Sequence, residues 1–127
     1  MNNTNNGNEL FPIFLKLREF TTLVVGGGAV GLEKVEALLK NDPGASIILV
    51  APEIKQELVE LSATHNITLY HRAFKTDDLN RVRLVILATD SRDLHQQILV
   101  LAHDRQLLVN VADTPDLCDF YLGSTVK

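Results

Sequence analysis

Gly26-Gly27-Gly28-Ala29-Val30-Gly31 decides the fold of this chain. It follows the apolar run Thr22-Leu23-Val24-Val25 and precedes an amphipathic stretch, residues 32–40. Strand, glycine turn and helix in that order make the unit that receives a dinucleotide. In this pattern Gly26 permits the tight turn, Gly28 lets backbone approach a pyrophosphate, and Gly31 brings the helix close to the strand. The first-turn amides around Ala29 and Val30, with the positive end of the helix dipole, would then face the phosphates. Three glycines alone can simply make a turn; the flanking strand and helix favour the nucleotide reading.

Working outward, Leu32, Val35, Leu38 and Leu39 share one helical face, and Asn41-Asp42-Pro43-Gly44 stops that helix. Ser46-Ile47-Ile48-Leu49-Val50 is continuously apolar, as a strand buried on both faces requires. Pro52 and Glu53 are expected to open a second helix, reaching Ser62. A third strand is predicted at residues 67–70, a turn or brief helix around Asp77-Asp78-Leu79, and a fourth strand at residues 84–88. Asp90-Ser91 starts a helix with the stripe Leu94, Ile98, Leu101 and Ala102, and residues 107–111 form the fifth strand. Such alternation, with right-handed crossovers, implies an α/β, Rossmann-like doubly wound parallel sheet of strand order 3-2-1-4-5. The ligand then lies at the carboxyl ends of strands one and four. Upstream, the proline-containing run Leu10-Phe11-Pro12-Ile13-Phe14-Leu15 is expected to be extended and packed on the core surface. Residues 1–8, mostly Asn, Thr and Gly, are expected to be a disordered lead-in to one domain spanning residues 9–127.

With 127 residues, 46% of them apolar and 22% charged, the composition is that of one ordinary globular domain. A net charge of −4 gives no reason to expect a nucleic-acid or anionic-membrane partner. The start has neither a basic nor an apolar signal-peptide region, and no run is long enough to span a membrane, so a cytoplasmic protein is expected. A single cysteine, Cys118, precludes an internal disulfide and is expected to be a buried structural thiol.

Three loops follow strand ends. Beside the glycine loop, Ala88-Thr89-Asp90-Ser91 leaves room for a cofactor to which Thr89 can hydrogen-bond, while Asp90 or Ser91 caps the next helix. In Asn110-Val111-Ala112-Asp113-Thr114-Pro115, Asn110 and Asp113 suit polar contacts to a substrate. Asp113 is a general base if partial burial favours its protonated form; equally, Asp113 and Pro115 can simply make an Asx turn. Glu53 is the nearest acid to the position that binds ribose hydroxyls, and no arginine adjoins it, so NAD is expected rather than NADP. His65, His71, His95 and His103 lack metal-ligand spacing, so no metal site is expected, and His95 and His103 are placed on a solvated helix surface.

The blocks Leu10-Phe11-Pro12-Ile13-Phe14-Leu15-Lys16-Leu17, Leu23 to Val30 followed by Lys34, Val50-Ala51-Pro52-Glu53, Ala88-Thr89-Asp90, Val109-Asn110-Val111-Ala112-Asp113 and Phe120-Tyr121-Leu122-Gly123-Ser124 occur in a specific order. In that set the chain resembles the N-terminal domain of the siroheme synthases, the precorrin-2 dehydrogenase/sirohydrochlorin ferrochelatase family. The resemblance implies NAD-dependent oxidation of precorrin-2 to sirohydrochlorin and, in some members, insertion of ferrous iron in the same pocket. It also implies a tetrapyrrole substrate, Asp113 as the catalytic carboxylate, and Asn110 shaping the substrate side. Gly31 stands where many members have alanine, and either is small. Members continue into a dimerisation segment and a helical domain, whereas this sequence stops at Lys127, so full-length relatives are expected to be homodimers and this chain monomeric or only weakly associated. Lys16, Arg18 and Arg92 are candidates to receive the substrate carboxylates. The alternative is an NAD(H)-sensing regulatory domain that binds the dinucleotide without catalysis.

Overall fold

The computed structural model describes residues 9–122, so the expectation for residues 1–8 and the Gly123-Ser124 end of the last block lie outside it. Among the described residues the elements run β1 (Thr21–Val25), α1 (Ala29–Asn41), β2 (Ser46–Ala51), α2 (Gln56–Thr64), β3 (Ile67–His71), β4 (Leu84–Leu87), α3 (Arg92–Asp104) and β5 (Leu108–Val111). All strand pairs are parallel, and the order is β3-β2-β1-β4-β5, as the alternation predicts.

Side-chain alternation along the strands splits the core in two. Leu23, Val85, Leu87, Val109 and Val111 face Ile98, Leu99 and Ala102 of α3. Val24, Ile47, Leu49 and Ile86 face Val35 and Leu38 of α1 and Leu58 of α2. Helices therefore cover opposite faces on either side of the β1–β4 junction. The chain winds one way from β1 and the other way from β4, leaving a crevice where the two directions part.

Three expectations are corrected. The second helix does not open at Pro52 and Glu53 but at Gln56, behind the N-cap residue Lys55. The reason is tertiary: Lys55 N–H donates to Gly27 O at 2.8 Å, drawing residues 52–55 across the glycine loop as an extended strap. Residues 10–15 form no helix or strand, as expected, yet they do not pack on the core. Phe11 is 87% and Phe14 97% exposed, and only Leu17 beyond them reaches the α1 face. Finally, His95 is not solvated. It is 7% exposed, because at spacings of three, four and seven from Ile98, Leu99 and Ala102 it shares the buried face of α3. Leu94 and Leu101, expected in that stripe, are only partly buried.

Beyond β5 the chain folds back on the sheet edge. Asp119 N–H donates to Val109 O at 2.7 Å, and Val109 N–H donates to Asp119 Oδ2 at 2.9 Å. This return blunts an otherwise open edge strand. His103 Nε2, exposed as expected, lies 2.7 Å from the same carboxylate oxygen. No helix among the described residues is long and apolar enough to cross a membrane.

Candidate functional site

Each glycine of the first loop has a different reason to be glycine. Gly26 has φ +129, and a Cβ there would lie 2.5 Å from Ala88 O, so the turn and its contact with the β4 end both exclude a side chain. A Cβ on Gly27 would collide with Glu53 O of the strap, and one on Gly31 with Gly26 O. Gly31 is thus tighter than the sequence implies: alanine there requires the loop to shift. Gly28 differs from all three. Its φ of −93 suits any residue, and a Cβ there would meet nothing within 4 Å. No atom of the protein crowds this position, which stands open to the cleft.

Gly28 is also the N-cap of α1, with no side chain capping it. Leu32 N–H is the first to bond back into the helix, to Gly28 O at 2.9 Å. The first-turn amides of Ala29, Val30 and Gly31 have no helical acceptor at this end. An open backbone position and uncapped amides make an anion cradle.

The loop after β4 forms the facing wall. Its backbone is tied to β1 by Ala88 N–H donating to Val25 O at 2.8 Å. Thr89 N–H donates to His95 Nε2 at 3.2 Å, and the Thr89 hydroxyl lies 2.8 Å from the same nitrogen. Ser91, rather than Asp90, caps α3, accepting from Leu94 N–H at 3.2 Å. Burial holds the His95 imidazole below its ordinary value of 6.5, and the Asp90 carboxylate offsets part of that.

The third loop leaves β5 through Asp113, whose φ is +62. Aspartate tolerates this left-handed conformation better than most residues. The turn is made by backbone, with Thr114 N–H donating to Val111 O at 3.2 Å, and not by an Asx contact. Asp113 is exposed, not partly buried as the general-base reading supposes. Its carboxylate has no hydrogen-bond or ion-pair partner among the described residues. Asn110 points inward. It is 6% exposed and donates through Nδ2 to Phe120 O at 2.9 Å, while its buried Oδ1 has no partner among the described residues. Cys118 is half-buried rather than buried, and its sulfur donates to Val111 O at 3.3 Å, holding the return segment.

These loops enclose one cleft of about 980 Å³ at the strand carboxyl ends. Gly26, Gly28, Ala29, Val30, Glu53, Thr89 and Asp113 all line it. Gly31 lies beneath the loop instead, and Asn110 lines an adjoining hollow of about 110 Å³ that shares Asp113 with the cleft. Of the three basic candidates only Arg92 reaches the cleft; Arg18 is engaged by Asp42 at 2.6 Å. Gly27, Lys55, His95 and Thr114 are among the lining residues to which no role was assigned from sequence. Lys55 and Arg92 stand against Glu53, Asp90 and Asp113, so the cleft holds both signs of charge. No group of three His, Cys, Asp or Glu side chains among the described residues could hold a metal ion.

A glycine cradle at the switch point of a parallel 3-2-1-4-5 sheet defines a Rossmann-like dinucleotide-binding domain. A family model described as "Putative NAD(P)-binding" matches residues 13–124. The siroheme synthase of Pseudoalteromonas translucida is 43% identical over 118 residues, which is 93% of this chain and 24% of that protein. That of Nitrosococcus oceani is 42% identical, covering 93% of this chain and 25% of that protein. The solved structure of SirC, a precorrin-2 dehydrogenase, superposes with a TM-score of 0.68 at 26% identity, covering 90% of this chain and 52% of that one. The chain belongs to the NAD(P)-binding family that forms the N-terminal domain of siroheme synthases. It spans about a quarter of the length of the curated relatives it matches.

Proposed function

We propose that residues 9–127 form the cofactor half of a cytoplasmic, NAD-dependent dehydrogenase that oxidises precorrin-2 to sirohydrochlorin. The observation that carries this reading is Gly28, where unstrained backbone and open space beside the uncapped first turn of α1 leave room for a ligand. A pyrophosphate in that space would meet the uncapped amides of Ala29 and Val30 at the cleft wall. The siroheme synthases and the precorrin-2 dehydrogenase similar to this chain support the substrate class.

When bound, NAD supplies the hydride acceptor. The chain's own residues do the remaining work. The loop from Gly26 to Gly31 holds the pyrophosphate, and Glu53 on the strap accepts hydrogen bonds from the ribose hydroxyls. Glu53 also opposes a 2′-phosphate by charge, which favours NAD over NADP. Thr89 contacts the cofactor from the facing wall. Oxidation removes two hydrogens from precorrin-2, one as hydride and one as a proton. Asp113 takes that proton; it is exposed at the cleft rim and its oxygens have no partner among the described residues. Asn110, with its unsatisfied Oδ1, borders the substrate side. Where iron is inserted, the same carboxylate takes the pyrrole protons as ferrous iron enters as substrate.

Anaerobic assay of the chain with enzymatically generated precorrin-2 and NAD tests this, following NADH and sirohydrochlorin by absorbance. Turnover by the wild type and its loss in Asp113→Ala, with NAD binding retained, is the expected result. Full activity in Asp113→Ala would remove the role given to that residue. NAD binding with no affinity for tetrapyrroles, and with assembly that changes with the nucleotide, would favour the regulatory reading.

A further inference from the structure

The contacts around Thr89 determine what kind of group it can hold. Its N–H donates to His95 Nε2 at 3.2 Å. A ring nitrogen that accepts from a backbone N–H carries a lone pair and no proton, so His95 is neutral with its proton on Nδ1. The 2.8 Å contact between Thr89 Oγ1 and the same nitrogen then needs the hydroxyl proton, which points at His95. Ser91 N–H donates to Thr89 Oγ1 at 3.0 Å and occupies one of its two lone pairs. One lone pair and no hydrogen remain for a ligand in the cleft that Thr89 lines.

We propose that His95 is a positioning residue that holds the Thr89 hydroxyl as a pure acceptor, so that the ligand group bound there is an O–H or N–H donor. A phosphate or carbonyl oxygen is excluded from this position. The assignment rests on the cofactor reading above, in which such donors are a ribose hydroxyl or the nicotinamide carboxamide. His95 suits the task because its ring is fixed on the buried face of α3, three residues before Ile98.

Two measurements on the full chain test it. Long-range 1H–15N correlation spectra at neutral pH are expected to show His95 Nε2 unprotonated. Calorimetry with NAD is expected to show about a tenfold loss in His95→Leu, where the Thr89 N–H loses its acceptor and the hydroxyl is free to turn. His95→Gln restores an acceptor oxygen and is expected to bind within about threefold of wild type. Because His95 acts on the hydroxyl through Thr89, the double variant with Thr89→Val is expected to lose less than the product of the two single losses. The dinucleotide in which acetyl replaces the carboxamide separates the two donors. Thr89→Val leaves its binding unchanged if the carboxamide is the partner, and weakens it as for NAD if a ribose hydroxyl is. A protonated Nε2, wild-type affinity in His95→Leu, or losses that simply multiply in the double variant would overturn the proposal. Failure of the wild type to bind NAD would refute the cofactor reading and the ligand half of this one, while the nitrogen spectrum alone decides the His95–Thr89 geometry.

Discussion

Replacing Gly28 and Gly26 by alanine, one at a time, is expected to separate binding from folding within a single loop. At Gly28 the new methyl meets nothing within 4 Å and the φ of −93 is open to alanine. Replacing a glycine N-cap by alanine costs about 0.5–1 kcal/mol, and the stiffer unfolded chain returns a similar amount, so Tm should stay within ~3 °C. The methyl nevertheless occupies the space given to the pyrophosphate. Losing one charge-assisted amide bond costs about 1.5–3 kcal/mol, which weakens NAD binding by roughly tenfold or more. At Gly26 the balance reverses. Backbone at φ +129 is strained for any L residue, and the Cβ would lie 2.5 Å from Ala88 O and 2.7 Å from Ala88 C, both backbone atoms of the β4 end. A cost of about 3 kcal/mol, near 10 °C in Tm for a domain of this size, is expected. Differential scanning calorimetry and NAD titration of both variants decide the matter. The reasoning fails if Gly28→Ala binds NAD like the wild type, or if it unfolds as readily as Gly26→Ala.

Burial lowers the His95 pKa, so between its folded value and 6.5 the unfolded chain binds more protons than the folded one, and stability rises with pH across that window. Urea titrations should show this slope in the wild type and a flatter one in His95→Gln; equal slopes would contradict it. The Arg18 guanidinium, aided by Gly44 N–H, holds Asp42 down to about 2, so its contribution to stability is present above 3.8 and lost as pH falls through about 2. Arg18→Ala should return Asp42 toward 3.8 in a carboxylate NMR titration; an unmoved titration would rule out the pairing. NAD should bind about tenfold tighter than NADP, and Glu53→Gln should narrow the ratio by removing the like-charge repulsion. An unchanged ratio would remove Glu53 from that discrimination.

The sheet was legible because its information is local. Apolar runs such as Ser46 to Val50, separated by helical spacings, give the parallel strands, and the glycine turn after the first of them points to the 3-2-1-4-5 order. The cleft was legible in outline because parallel topology brings every β–α loop to one end. What escaped the sequence was set by contacts between distant segments. The start of α2 depends on Lys55 reaching Gly27, a pairing with no sequence signal. The burial of His95 was obscured by its polarity, although its spacing from Ile98, Leu99 and Ala102 did carry the signal. Asn110 reads as a cleft residue from its place at a strand end. Yet strand alternation puts Val109 and Val111 on the α3 face and turns Asn110 to the other, toward Phe120. Exposed Phe11 and Phe14 show the limit of hydropathy, since apolar character marks a wish for burial and names no surface that provides it.

Isothermal titration of the full chain with NAD tests the central claim most directly. Saturable one-to-one binding, with Kd below about 1 mM and weakened in Gly28→Ala, is the result predicted for a dinucleotide cradle at the β1–α1 turn. Absence of heat from either NAD or NADP, with the chain shown to be folded, would contradict it.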